Sequence, residues 1–284
     1  MTRALLLAAS LILATRIHAQ EETPPHDDRV YVATSEDGLR FDAPPAPALE
    51  KASAPSLVLL RSPCGSHSAG TFLLYAMDFS SGSRRSRSER IAVSTSTDGK
   101  DWTDRRSLVF DEEIPGAGDP AAVQLEDGSI RLYFQVPNRR RSTDVRSARS
   151  EDGVTFRLEE GIRLEDAGNP DVLLAGGEWF LFVSAGKTTE LARSKDGLVW
   201  TMDPSFGVLQ GGCAAACLLE DGRLRVYAHD RGMESWIYDP TGGGRPAHEE
   251  GTRIQLRGIV ADPSLVRTAT GDVFLAFKFQ EPRR

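Results

Sequence analysis

The chain is expected to fold as an all-β, five-bladed β-propeller with four antiparallel strands per blade. Three observations lead there. The motif Ser-X-Asp-Gly-X-X-aromatic occurs four times, at Ser35–Phe41, Ser96–Trp102, Ser150–Phe156 and Ser194–Trp200. A strand opening marked by proline recurs at Ala54-Pro55, Asp119-Pro120, Asn169-Pro170 and Asp262-Pro263, with a proline-free counterpart at Cys213-Ala214. The last unit stops after two strands, and the two outer strands it lacks stand at the other end of the chain, from Val30 to Phe41. Self-similar units of this size are the signature of repeat architectures. A β-sandwich would supply similar hairpins but would leave the split unit unexplained.

The elements follow in chain order. Residues Met1–Ala19 read as a secretory signal, with Arg3 as the charged start, Ala4–Ala14 as the apolar centre and Ile17-His18-Ala19 as the cleavage site. The apolar run is too short to span a membrane, so no membrane span is expected. Cleavage after Ala19 would leave 265 of the 284 residues, which suits one large β domain, and the predicted location is secreted or periplasmic. Residues 20–29 form a polar leader with Pro24 and Pro25, and residues 30–284 form the single domain.

Each repeat unit opens on the proline-marked strand A. A turn follows, such as Glu126-Asp127-Gly128, Gly176-Gly177, Glu220-Asp221-Gly222 or Thr270-Gly271-Asp272. Strand B comes next: Phe72–Met77, Ile130–Gln135, Trp179–Val183, Leu224–Ala228 and Val273–Lys278. Strand C runs into the Asp-Gly turn, and a short strand D such as Ser107–Phe110 closes the unit. Trp236–Asp239 supplies strand C of blade four, with a degenerate turn at Thr241–Gly244. The spacing of nine residues from Asp119 to Gly128 repeats from Cys213 to Gly222 and from Asp262 to Gly271, so the units correspond position by position.

Composition narrows the function. The net charge is −7, and −9 once Arg3 and Arg16 leave with the signal, so a general nucleic-acid or anionic-membrane binder is not expected. Three cysteines make no disulfide framework. Cys213 and Cys217 would stand about 13 Å apart along one strand, too far to bridge. No further metal ligand lies near them in sequence, so they read as small buried hydrophobes, with no metal and no cofactor expected.

Strand direction sorts the candidate residues. The starts of A and the ends of B share one face; the A–B and C–D turns share the other. The Ser-X-Asp-Gly aspartates Asp37, Asp98, Asp152 and Asp196 therefore read as turn formers. The opposite face gathers Ala54, Asp119, Asn169, Cys213 and Asp262 around the axis, with Asp171 pointing the same way as Asn169. Ends of B add Asp78, Gln135, Lys187, His229, Asp230, Arg231 and Lys278. An Asp-Pro start is in isolation a turn device. Two on one axial funnel, near His229 and Asp230, point to a ligand site. The loops carrying Arg84, Arg85, Arg87 and Arg90, and Arg139, Arg140 and Arg141, are either solvated loops or a clamp for an acidic ligand.

Asp119-Pro120…Asp127-Gly128…Tyr133-Phe134 and Asp262-Pro263…Gly271…Phe277, joined to Ser-X-Asp-Gly-X-X-Trp/Phe, resemble the five-bladed propeller glycosidases. These include the family 43 arabinanase and xylosidase group, the family 32 invertase group and the mannoside phosphorylases. The turns also resemble the Asp boxes of sialidases, although those use six blades and an Arg-Ile-Pro segment that Arg29-Val30-Tyr31 does not match. The family 43 resemblance implies an Asp base on the first strand A, an Asp tuner on the second and a Glu acid on the third. Here those positions hold Ala54, Asp119 and Asn169, with Asp171 beside the last.

The resemblance thus implies a secreted glycosidase-like propeller for a carbohydrate ligand. Asp119 and Asp262 would be its carboxylate pair or tuner, and Asp171 or Asp230 the other member. His229, Asp78, Arg231, Gln135, Asn169, Lys278 and Arg139 would position substrate. A non-catalytic carbohydrate-binding propeller is the alternative; a sialidase-like enzyme and a protein scaffold are lesser readings. A monomer is expected.

Overall fold

The computed structural model describes residues 27–80, 90–230 and 232–282. The expected signal, most of the leader, Arg84, Arg85, Arg87 and Arg231 lie outside the described residues. Strands build five sheets, each a blade. Blade one runs Ala52–Leu59, Phe72–Asp78, Arg90–Ser96 and Arg106–Ser107 from axis to rim. Blade two runs Gly118–Gln124, Ile130–Pro137, Thr143–Ser150 and Thr155–Leu158. Blade three runs Asp171–Ala175, Glu178–Ala185, Thr188–Ser194 and Thr201–Met202. Blade four runs Gly212–Leu218, Leu224–His229, Met233–Tyr238 and Ala247–Ile254. Blade five is built from both ends of the chain: Ile259–Arg267 and Val273–Gln280 pair with Arg29–Ser35 and then Leu49–Glu50. Each inner strand contacts the next, and the fifth contacts the first, so the ring closes.

One strand departs from expectation. Ser107–Phe110 does not act as a single outer strand of blade one. Arg106–Ser107 pairs within blade one, while Val109–Phe110 crosses over to lie parallel to Thr155–Leu158 of blade two. The Phe110 ring is the reason: it packs against Phe134 and Phe156, with centroids 5.5 and 5.9 Å away.

The four turn motifs share one hydrogen-bond scheme. In each, the glycine takes a φ of 72–76°, the Ser Oγ accepts from the glycine N–H, and the Asp Oδ1 accepts from the two N–H groups that follow the glycine. These donors hold Asp37, Asp98 and Asp196 below the ordinary carboxylate range. At Asp152 burial works against the charge, yet the Thr155 and Val154 N–H groups bring the carboxyl to about 2.

The turns also tie neighbouring blades. Tyr75 of blade one donates to the Gly153 carbonyl of blade two at 3.0 Å, Tyr133 of blade two to Gly197 of blade three at 2.7 Å, and Tyr227 of blade four to Gly38 of blade five at 2.8 Å. The two exceptions obey the same logic. Blade three carries Phe182 in register with these tyrosines, and blade four has no Asp-Gly turn between its third and fourth strands to receive a hydroxyl. Blade five carries Ala276 in that register, and a Phe274 ring covers Gly99 instead.

Candidate functional site: the axial pocket

The antiparallel ladders set the turns at the far end from the strand A starts. In blade one, Ser96 lies across Phe72, which lies across Leu59, the last residue of the inner strand. At the near end, a small open pocket lies on the propeller axis. Ala54, Asp119, Asn169, Asp171, Cys213 and Asp262 line it, together with the residues that follow four of them, Pro55, Pro120, Pro170 and Pro263.

Five equivalent residues share an unusual backbone. Ala54, Asp119, Asn169, Cys213 and Asp262 have φ of 47°, 47°, 44°, 49° and 51°. A side chain bearing Cβ in this left-handed region costs roughly 1–2 kcal/mol, least for Asn and Asp. The cause is a bulge. The hairpin register slips between Ser53 and Ser56, Gly118 and Ala121, Gly212 and Ala215, and Ala261 and Ser264. A bulge re-aims the side chain, and the proline after it has no N–H to leave unpaired. The repeated distortion turns five side chains toward the axis.

The register also names the strand B residue that faces each of them. Met77, Gln135, His229 and Lys278 stand opposite the residue preceding the bulge, and the Ser184 N–H donates to the carbonyl of Gly168, which precedes Asn169. Gln135 Nε2 donates to Asp119 Oδ2, while its Oε1 accepts from the Asn169 N–H of the next blade at 3.0 Å. The second bond orients the amide so that its NH₂ meets the carboxylate. Ser184 Oγ likewise accepts from the Cys213 N–H of the next blade, at 2.8 Å. Lys278 Nζ stands 3.0 Å from Asp262 Oδ2.

The aspartates are held in different states. At Asp262 burial opposes the charge, but the Lys278 ammonium and His229 outweigh it and the carboxyl sits below its usual range. At Lys278 burial works against the charge, but Asp262 outweighs it and the ammonium is raised above its usual range. Asp171 is pushed well above the ordinary range by burial, against a hydrogen bond from the Ala216 N–H. Burial, then Asp262 and Asp119, push the Cys213 thiol well up.

Asp171 also has a place in the framework. The residues in its register, Ser56 and Ser264, each accept from a backbone N–H of the next inner strand, Ser56 from Ala122 at 2.8 Å and Ser264 from Leu57 at 2.9 Å. Asp171 makes the same tie from blade three to Ala216 of blade four.

Other expected site residues stand elsewhere. Asp78 follows Met77 and so faces the opposite side of its strand; it binds Arg105 at 2.6 Å and accepts from the Ser80 N–H and hydroxyl. Asp230 is half-exposed in the loop after strand B of blade four, 3.8 Å from Lys187. Arg139 is exposed, and its neighbour Arg140 is occupied by Asp166 at 2.5 Å and Glu165 at 3.2 Å. Ser184 and Met77 were missed because nothing in a single strand marks the inward residue. Counting the register back from the A–B turn finds both.

No protein-family model and no curated relative matches the chain. Solved structures do match its fold. A protein of unknown function from Dyadobacter fermentans aligns with a TM-score of 0.59 at 18% identity, over 88% of this chain and 84% of that one. A thermostable family-43 glycoside hydrolase aligns at 0.56 and 10% identity, over 79% and 88%. A family 117 glycoside hydrolase from the marine bacterium Zobellia galactanivorans aligns at 0.53 and 14%, over 80% and 84%. The chain thus has the five-bladed propeller fold that glycoside hydrolases of several families also have.

Proposed function

We propose that this is a glycan-acting propeller of the glycoside hydrolase type, with its chemistry in the axial pocket. The observation that carries the reading is the convergence of three aspartates on one pocket, with Asp171 and Asp262 shifted in opposite directions. Carboxyls driven apart in protonation are how one site runs acid and base chemistry together. Asp171, whose buried surroundings favour the protonated carboxyl, is the proton donor to the leaving oxygen. Asp119, oriented by Gln135, accepts the proton of the attacking water. Inverting hydrolysis places such a pair roughly 6.5–9.5 Å apart. Asp262 and Lys278, an ion pair at the pocket wall, bind sugar hydroxyls and set the local field, with His229 and Asn169 beside them. The mature chain acts outside the cytoplasm, a reading that rests on the signal-like composition of Met1–Ala19.

The test is a screen of aryl-glycosides and polysaccharides for released reducing sugar. Turnover is expected on at least one glycan. Asp119→Asn should lower kcat on it by about 100-fold or more, the usual share of a general acid or base. Full activity in Asp119→Asn overturns the assignment. Glycan binding with no turnover across the panel replaces it with the non-catalytic binding propeller.

A further inference from the structure

We infer that Cys213, His229 and Asp262 form a binding site for one zinc-class divalent cation, held by thiolate, imidazole and carboxylate with a fourth position open to the axial pocket. Their donor atoms lie within 4.8 Å of one another, and all three residues are half-buried. Ligands of a tetrahedral zinc stand roughly 3.5 Å apart, so side-chain adjustments on the order of an ångström close the set.

The fold assembles the three from separate segments. Left-handed bulges turn Cys213 and Asp262 inward from adjacent blades, and the register opposite Gly212 places His229 between them. The backbone at Cys213 is anchored from blade three. Thr189 Oγ1 donates to the Gly211 carbonyl at 2.8 Å, so the Ser184 hydroxyl donates to Thr189 and accepts from the Cys213 N–H. Ser184 and Thr189 are 5% and 0% exposed. Such outer hydrogen bonds hold metal ligands in place. Lys278 holds Asp262 through Oδ2.

The donor set selects the metal. Thiolate and imidazole suit zinc, whereas magnesium and calcium take oxygen ligands. A buried structural cysteine is ordinarily surrounded by apolar groups. Cys213 instead interacts with two aspartates, and its counterparts in the ring are Ala, Asp, Asn and Asp. On binding, the S–H bond breaks, the sulfur pair forms the bond to the cation, and the proton leaves to solvent. The Lys278 ammonium opposes a dication, but the thiolate, Asp262 and Asp119 outnumber it. The site lies in blades four and five, on the pocket that Asp119 and Asp171 also line, and its test needs no glycan.

The experiment is a zinc titration of the chelator-treated full chain against a chromophoric chelator, repeated with cobalt to read the ligand type. Wild type is expected to bind one equivalent of zinc, and its cobalt form to show a thiolate-to-cobalt absorption band. Cys213→Ala should weaken zinc binding by about 100-fold and abolish that band, while the Cys64→Ser, Cys217→Ser double variant keeps both. Ala54 holds the same backbone conformation as Cys213, so Cys213→Ala is expected to fold, as its melting curve and near-ultraviolet dichroism would verify. No zinc binding by wild type, or equal binding by a folded Cys213→Ala, overturns the site.

Discussion

Asp171 ties two inner strands and, in the proposed mechanism, is also the acid; two substitutions tell these roles apart. Its carboxyl accepts from the Ala216 N–H, as Ser56 and Ser264 accept from Ala122 and Leu57 in other blades. Asp171→Ala removes the acceptor and leaves a backbone donor unpaired between two inner strands, at a cost of about 1–3 kcal/mol. At about 2–4 °C per kcal/mol for a domain of this size, the melting temperature should fall by several degrees. Asp171→Ser copies the two blades that use serine, and should melt within about 2–4 °C of wild type, a change under 1 kcal/mol. Both variants lack the acid, so both should lose about 100-fold or more in kcat on the best glycan. The pH profile adds an independent check. The Asp171 carboxyl titrates above its unfolded value of about 3.9. Between those two values the unfolded chain has lost a proton that the folded chain keeps. The folded state is therefore penalised progressively as pH rises above about 4. Asp171→Ser removes that penalty, so its stability relative to wild type should improve from pH 4 to pH 7 by differential scanning calorimetry. Wild-type stability in Asp171→Ala at about pH 4, where the charge penalty is absent, would refute the tie, and wild-type turnover in Asp171→Ser would refute the acid.

The other expectations concern the ring and the ion pair. Tyr133→Phe deletes the hydroxyl bonded to the Gly197 carbonyl and should destabilise by about 1–3 kcal/mol in urea unfolding; Phe182→Tyr adds a hydroxyl with no turn to receive it and should not stabilise. Gly197→Ala should cost clearly more than Gly176→Ala. Both need positive φ, but a Cβ at 197 would stand 2.6 Å from Arg131 Nη1 and Tyr133 Oη, whereas nothing lies within 4 Å at 176. Asp262→Asn strands the Lys278 ammonium in the pocket wall and should destabilise by about 3–5 kcal/mol at neutral pH. Because the Asp262 carboxyl titrates below its ordinary value, its contribution is present above pH 4 and fades as pH falls through the folded pKa. The gap between this variant and wild type should therefore narrow in acid.

Blade count, ring closure and the axial column were legible in the sequence because each rests on repetition. Ser-X-Asp-Gly returns in one frame, the nine-residue spacing recurs, and the two strands missing from the last unit stand at the start of the chain. What was not legible depends on pairing across blades. The left-handed backbone at the five axial residues falls on no glycine, and only Asp119, Asn169 and Asp262 are residue types that hint at it. Asp78 stands one residue from the inward Met77, and one residue reverses a strand side chain. Cys213 seemed to lack metal-ligand neighbours because spacing along one segment cannot reveal partners from blade five. Asp171 looked like a free carboxylate until its register with Ser56 and Ser264 gave it a structural duty as well.

The central claim is that glycans meet this protein at the strand A starts and not at its Asp-Gly turns. A crystal structure of Asp119→Asn with the tightest-binding oligosaccharide from a glycan array tests it most directly. The account predicts sugar density in the axial pocket, in contact with Asp171, Asp262 and the residue at position 119. Sugar bound at the face carrying Asp37, Asp98, Asp152 and Asp196, with the axial pocket empty, would contradict it.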